Sequence, residues 1–236
     1  MKLKSVLFGE QSQEGFIGEH PIFFDNLVKA QTQCKKFLSE MWKSKQSLVR
    51  ASNNVSDSYF RKPYSTERNP VDNERFNDDW IEEFRKQNYP KYPSRKKATF
   101  AEVMSLNTKK AEMPFAIRQY GSIGYFIIPK DSSKIFQNQK VRDFLGSDIN
   151  NYIGYHNDRP DSKPIYNTLI IHAKSYFRNG KTKLSEMIPD REVVIEHKGY
   201  YAFNMNTWEE YATEVLKSNL VEVINPTNLK VINSYL

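Results

Sequence analysis

Along residues 22–45, Phe24, Leu27, Val28, Cys34, Leu38, Met41 and Trp42 recur mostly three or four positions apart, with polar residues between them. That spacing predicts one amphipathic helix, because residues three and four apart share a face at 3.6 residues per turn. Pro21 stands just before it, where its missing N–H is harmless. A helix of this kind lies on a core or covers a sheet, and its mixed-charge polar face does not mark a membrane surface. Ser47-Leu48-Val49-Arg50 follows as a short strand that ends in a charge. Residues 51–73, rich in Asn, Ser, Pro and Arg, predict a long loop. Residues 72–88 then predict a second helix, with Phe76, Trp80 and Phe84 at i, i+4 and i+8 and Asp72 or Asn73 as its N-cap.

Pro90 and Pro93 end that pattern. Residues 97–105 alternate as a strand does, and Gly124-Tyr125-Phe126-Ile127-Ile128-Pro129 reads as a buried one. A short helix-like stretch covers 138–146, with Asp143 in it, and 148–164 is a polar loop. Asn167-Thr168-Leu169-Ile170-Ile171 fits a strand or a helix, since a short apolar run has no decisive period. Glu192 to His197 is a strand, Lys198-Gly199 a turn, and Tyr200-Tyr201-Ala202-Phe203 a second strand, which together predict a hairpin. Residues 207–217 form a short helix. The tail 219–236 carries two apolar patches split by Pro226.

Composition supports a folded chain. Mean hydropathy is −0.71, but 15 Phe, 14 Tyr and 3 Trp supply enough ring surface for a core. The formal charge of +7 comes from 35 basic residues interleaved with 28 acidic ones, so it reads first as a solvated surface. The densest basic run is Arg95-Lys96-Lys97, with a looser cluster at Arg178, Lys181 and Lys183. The single cysteine, Cys34, excludes an intramolecular disulfide and a multi-cysteine zinc site, and is expected as a small buried hydrophobe. The N-terminal apolar run is too short for a signal peptide, and no window approaches the length that crosses a bilayer. The expected compartment is the cytoplasm.

Familiar chemical motifs are missing. Gly121-Ser122-Ile123-Gly124 lacks the third glycine of a dinucleotide loop, and no Gly-x-Ser-x-Gly elbow occurs. His20, His156, His172 and His197 lack metal-ligand spacing, so no metal is expected.

What remains is an order of features. A strand closes on Arg50, and a loop carries Arg68-Asn69-Pro70-Val71-Asp72. Arg95 precedes the strand at 97–105. Tyr120-Gly121 leads into Tyr125-Phe126-Ile127-Ile128-Pro129, and Asp190-Arg191-Glu192-Val193-Val194-Ile195 comes last. Over roughly residues 22–205 this order resembles phage-encoded mono-ADP-ribosyltransferase-like proteins, an extent read from pattern alone. In that family an Arg closes the first strand, a middle strand carries Ser or Thr, and a late Glu opens a strand of the form Glu-(Val/Ile)-(Met/Leu/Val)-Ile.

The resemblance implies an α+β fold with two packed, mostly antiparallel sheets and an N-terminal helical region. It implies NAD as substrate and a host protein or nucleic acid as acceptor. Arg50 would hold the nicotinamide-side ribose and phosphate, a task suited to a planar, always-charged guanidinium. Glu192 would be the catalytic carboxylate, stabilising positive charge on the ribose as nicotinamide leaves. Asp190 would engage the acceptor, one methylene shorter than the Gln or Glu the family places there. Thr99, with Ser105 behind it, is the nearest match to the Ser/Thr element, although Thr99-Phe100-Ala101 departs from the family's Ser-Thr-Ser. Ala51 departs from the family's glycine after the arginine.

Glu196 shares a strand face with Glu192 and is a second carboxylate to consider. Tyr200 and Tyr201 are expected either to stack on a ligand ring or to fill the core. Arg61, Lys62 and Arg68 are loop cations within reach of a phosphate or of solvent. The expected organisation is an arm and helix at 1–46, a core at 47–205, and a helix and tail at 206–236. The alternative function is a non-enzymatic phage protein, virion-associated or bound to a host complex, on a degenerate version of the same fold.

Overall fold

The structure is a computed structural model that describes residues 20–67, 72–105, 123–138, 162–189 and 191–210, apart from the side chains of 72–78 and 162–165. In chain order the elements are helices α1 (Pro21–Gln33) and α2 (Lys35–Ser44), strands β1 (Gln46–Ser52) and β2 (Ser58–Arg61), and helix α3 (Asp72–Asn88). Strands β3 (Thr99–Ser105), β4 (Ile123–Pro129) and β5 (Lys134–Gln137), helix α4 (Ser162–Arg178), and strands β6 (Glu192–Glu196) and β7 (Tyr200–Asn204) follow. Short 3-10 turns lie at Arg95–Lys97 and Leu184–Glu186. The fold is therefore α+β. The helix-like stretch at 138–146 and the tail at 219–236 lie almost wholly or entirely outside the described residues, and so does most of the loop at 148–164.

Contacts divide the chain into two compact units. Unit one comprises Met1–Lys62, Met104–Ser132 and Lys198–Leu236; unit two comprises Pro63–Val103 and Ser133–His197. The stretch 47–205 contributes strands to both.

Unit one orders its strands β2–β7–β4–β1, with every pairing antiparallel. Phe126 and Phe203 are register partners on the face that meets the helices. Phe23 of α1 packs edge-on against Phe203 at 5.2 Å, and Trp208 closes the cluster at 5.5 Å from Phe126. Ser58 fixes the edge strand: its hydroxyl accepts from Asn26 Nδ2 (2.9 Å) and donates to Ile22 O (3.2 Å).

The single helix expected over 22–45 is two helices. Cys34 leaves helical geometry at φ −130°, ψ 29°. Asp131, 95 positions beyond Lys36, makes the break stable. Its Oδ1 accepts from Lys36 N (2.9 Å) and Phe37 N (3.2 Å), while its own N–H donates to Gln33 O (3.1 Å). A distant carboxylate thus caps α2 as a local Ser or Asp would. Asp131→Ala is expected to cost about 1 kcal/mol in chemical denaturation, with Asp131→Asn retaining most of it. Equal stability of Asp131→Ala and wild type would show that water serves those amides as well.

Unit two orders its strands β3–β6–β5, again antiparallel. Among the described residues neither unit packs two sheets face to face; each has one layer of strands with helices on it. The core of unit two joins Ile81 and Phe84 of α3, Phe136 of β5, and Leu169, Ala173, Tyr176 and Phe177 of α4. These α4 positions recur on one helix face, which is why the ambiguous run around Ile170 is helical here.

The expected hairpin of β6 and β7 does not form. β6 pairs with β3 and β5, and β7 with β2 and β4, so both edges of each strand are taken. Gly199 still turns the chain between them at φ +115°, with Phe60 so close that a Cβ there would meet its ring at 2.4 Å. The strand at 58–61, inside the expected loop, and β5 were not anticipated from the pattern.

Candidate active site

Glu192 is the first residue of β6 and lies directly opposite Glu102 of β3. Two carboxylates in such a pair repel unless a cation lies between or beside them. Arg95 supplies one: its Nη1 donates to Glu192 Oε1 at 2.8 Å. The guanidinium lies over the Phe100 ring at 4.9 Å, an arrangement that favours a planar cation. Phe100, Glu102 and Glu192 share a strand face through the register. The Glu192 side chain is 24% exposed and that of Arg95 13%, so the pair is partly withdrawn from water without being sealed. Glu196, on the same face, accepts a bond from Ser94 N at 2.8 Å, which gives it a structural task.

Thr99 is elsewhere. It pairs with Ile195, three residues from Glu192, and so faces the opposite side of the strands. Fully buried there, its hydroxyl lies 3.1 Å from Nε2 of the equally enclosed His197, whose ring meets Tyr64 edge-on at 5.7 Å. Within unit two, therefore, Glu192 and Thr99 are not brought together. Asp190 lies outside the described residues.

Arg50 and Tyr200 belong to unit one. Arg50 is opposite Tyr125 in register, and Tyr200 is opposite Pro129 and Arg61. Both lie on the face that carries Tyr59, separated by two strands and four residues, roughly 16 Å from the spacings of a sheet. Tyr125 is fully buried, with its hydroxyl 2.7 Å from both Asn54 O and Ser56 O. Burial pushes its phenol up to about 12, helped by Tyr59 and Asp57. Tyr200 is buried beside Tyr59, at 6.4 Å between ring centres, as a core residue would be. Cys34 is buried as expected, and desolvation pushes its thiol up to about 12, with a smaller contribution from Asp131.

Protein-family models, curated proteins and solved structures were compared with the chain, and none matches.

Among the described residues no group of three or more His, Cys, Asp or Glu is arranged to hold a metal ion. Among them, too, no helix is long and apolar enough to cross a membrane. Reading the sequence assigned no role to Arg95, Glu102 or Gln137. The signal for Glu102 was available, since strand alternation puts it on the face of Phe100. The Arg95 contact was not, because a turn outside the strand makes it.

Proposed function

We propose that the chain is a phage-encoded mono-ADP-ribosyltransferase that acts on a host protein or nucleic acid in the host cytoplasm. NAD is the substrate. The bond from the nicotinamide nitrogen to the ribose breaks, its electron pair leaves with nicotinamide, and an acceptor nucleophile bonds to the ribose carbon and gives up a proton. Glu192 stabilises the positive charge that develops on the ribose. Arg50 binds the ribose and phosphate, and Asp190 meets the acceptor, as the resemblance implies.

The observation that carries this reading is the partly buried carboxylate of Glu192 at the opening of β6, held through Oε1 by Arg95. A carboxylate held in advance needs little reorganisation when charge develops beside it. A second reading, a non-enzymatic protein of the virion or of a host complex, is favoured by Thr99. That residue belongs to a buried hydrogen bond and not to the face of Glu192.

Labelled NAD and host lysate separate the two. Wild type is expected to transfer label and Glu192→Ala to lose the transfer while keeping the wild-type melting curve. Equal transfer by both proteins removes Glu192 from the chemistry, and no transfer by either supports the non-enzymatic reading.

A further inference from the structure

Residues 84–101 and 162–185 are both basic and free of Asp and Glu. Residues 162–185 contain Lys163, Lys174, Arg178, Lys181 and Lys183 and no Asp or Glu, a contribution of +5 to a total of +7. This stretch is α4 and the turn that follows it.

The helix is two-faced. Leu169, Ala173, Tyr176 and Phe177 are buried, whereas Asn167, Ile171, Lys174 and Arg178 are exposed. At 100° per residue those four exposed positions fall within about 60° of each other, so they form one outward stripe. Lys181 and Lys183, both exposed, continue it beyond the helix.

That continuation is held in place. Gln137 and Lys181 exchange two backbone hydrogen bonds of 2.9 and 2.8 Å. Gly180 lies flat on Phe136, where an added Cβ would come within 1.9 Å of the ring. Leu184 is fully buried just beyond. Cations on so fixed a frame lose less freedom on binding than cations on a mobile loop.

Three of them, Lys174, Arg178 and Lys181, differ in their ion pairing from several other cations of the chain. Lys29 is paired with Asp25, Lys96 with Asp79 and Glu67, and Lys183 with Glu186 at 3.4 Å. Lys174, Arg178 and Lys181 take part in no ion pair among the described residues. A helix C-terminus favours cations, which accounts for Arg178 in the last turn. It does not account for Lys174, a turn earlier, or for Lys181 and Lys183 beyond the end.

We infer that the outer face of α4 with the 179–183 turn is a sequence-independent binding surface for the phosphate backbone of a nucleic acid. Lys174, Arg178 and Lys181, in no ion pair among the described residues, stand on a rigid frame with Lys183 beside them, an arrangement that suits a polyanion of regularly spaced charge. The inference is independent of NAD chemistry, and its test contains no NAD.

The test is fluorescence anisotropy of the full chain with a labelled 20-base-pair duplex across a salt series. Three phosphate contacts give a slope of log K against log salt of about −2.7, so affinity falls about 40-fold between 50 and 200 mM salt. The variant Lys174→Ala/Arg178→Ala/Lys181→Ala is expected to lose most binding and most of that slope with an unchanged melting curve. Lys35→Ala/Lys36→Ala/Lys43→Ala removes the same charge from exposed positions of α2 and is expected to bind like wild type. Equal losses in both variants would reduce the effect to net charge and overturn the assignment. So would absence of duplex binding at 50 mM salt. Tighter binding of a polyglutamate peptide than of the duplex would assign the face to an acidic protein instead.

Discussion

Phe136→Ala is expected to lower the unfolding free energy of the unit that contains β5 by about 3–5 kcal/mol. Phe136 is 2% exposed and stands where four pieces of that unit meet. Its ring centre is 4.9 Å from Tyr92, 5.3 Å from Tyr176 and 5.9 Å from Phe177, and it presses on Gly180. Truncation leaves a void lined by rings with few alternative rotamers, so the site collapses poorly and the cavity cost adds to the lost transfer energy. Against a typical total stability of about 5–15 kcal/mol the loss is large. Urea unfolding followed by far-UV circular dichroism measures it. A loss below about 1 kcal/mol would mean that the ring is not central to this core.

Gln137→Leu is expected to cost about 2–4 kcal/mol, because it strands partners in place of removing them. Nε2 of Gln137 donates to Ile188 O at 2.8 Å and to Arg191 O at 3.3 Å, and Oε1 accepts from Ile188 N at 2.7 Å. One side chain, 2% exposed, thereby serves three backbone groups in the segment that leads to Glu192. Leucine fills the volume and satisfies none of them. The effect should be local: in hydrogen exchange, protection is lost over 184–195 while α1 and α2 keep theirs. If the 184–195 amides exchange as slowly as in wild type, Gln137 is not what holds the approach to β6. In an active protein, transfer from NAD should fall as well, since the carboxylate of Glu192 depends on the strand it opens.

Much of this fold was legible along the chain. Leu48 and Val49, the run from Tyr125 to Ile128, and Val193 to Ile195 are buried strand residues, as their patterns predict. Trp80 and Phe84, four apart, stack at 5.3 Å on α3. Local sequence suffices in these places because burying an apolar face is the main driving force and periodicity records which face is buried.

The errors share a cause. The helix at 22–45 breaks at Cys34 because Asp131, far along the chain, supplies a cap there. β2 forms within a polar stretch because β7 offers a free edge and Asn26 satisfies Ser58. The hairpin failed because strand adjacency in sequence does not determine which edges pair. Lys198-Gly199 turns the chain without joining β6 to β7.

The proposed site divides the same way. By itself the sequence determined that Glu192 opens a strand, and that Arg50 lies on one, because both follow from short apolar runs. It also showed that 162–185 is basic and free of acids, which needs no coordinates to count. Only tertiary structure decided that Arg95 holds Glu192, that Glu102 faces it, and that Thr99 turns away to His197. Register carries the reason. A slip of one residue between β3 and β6 would exchange the faces, and the strand that completes this register lies far along the chain.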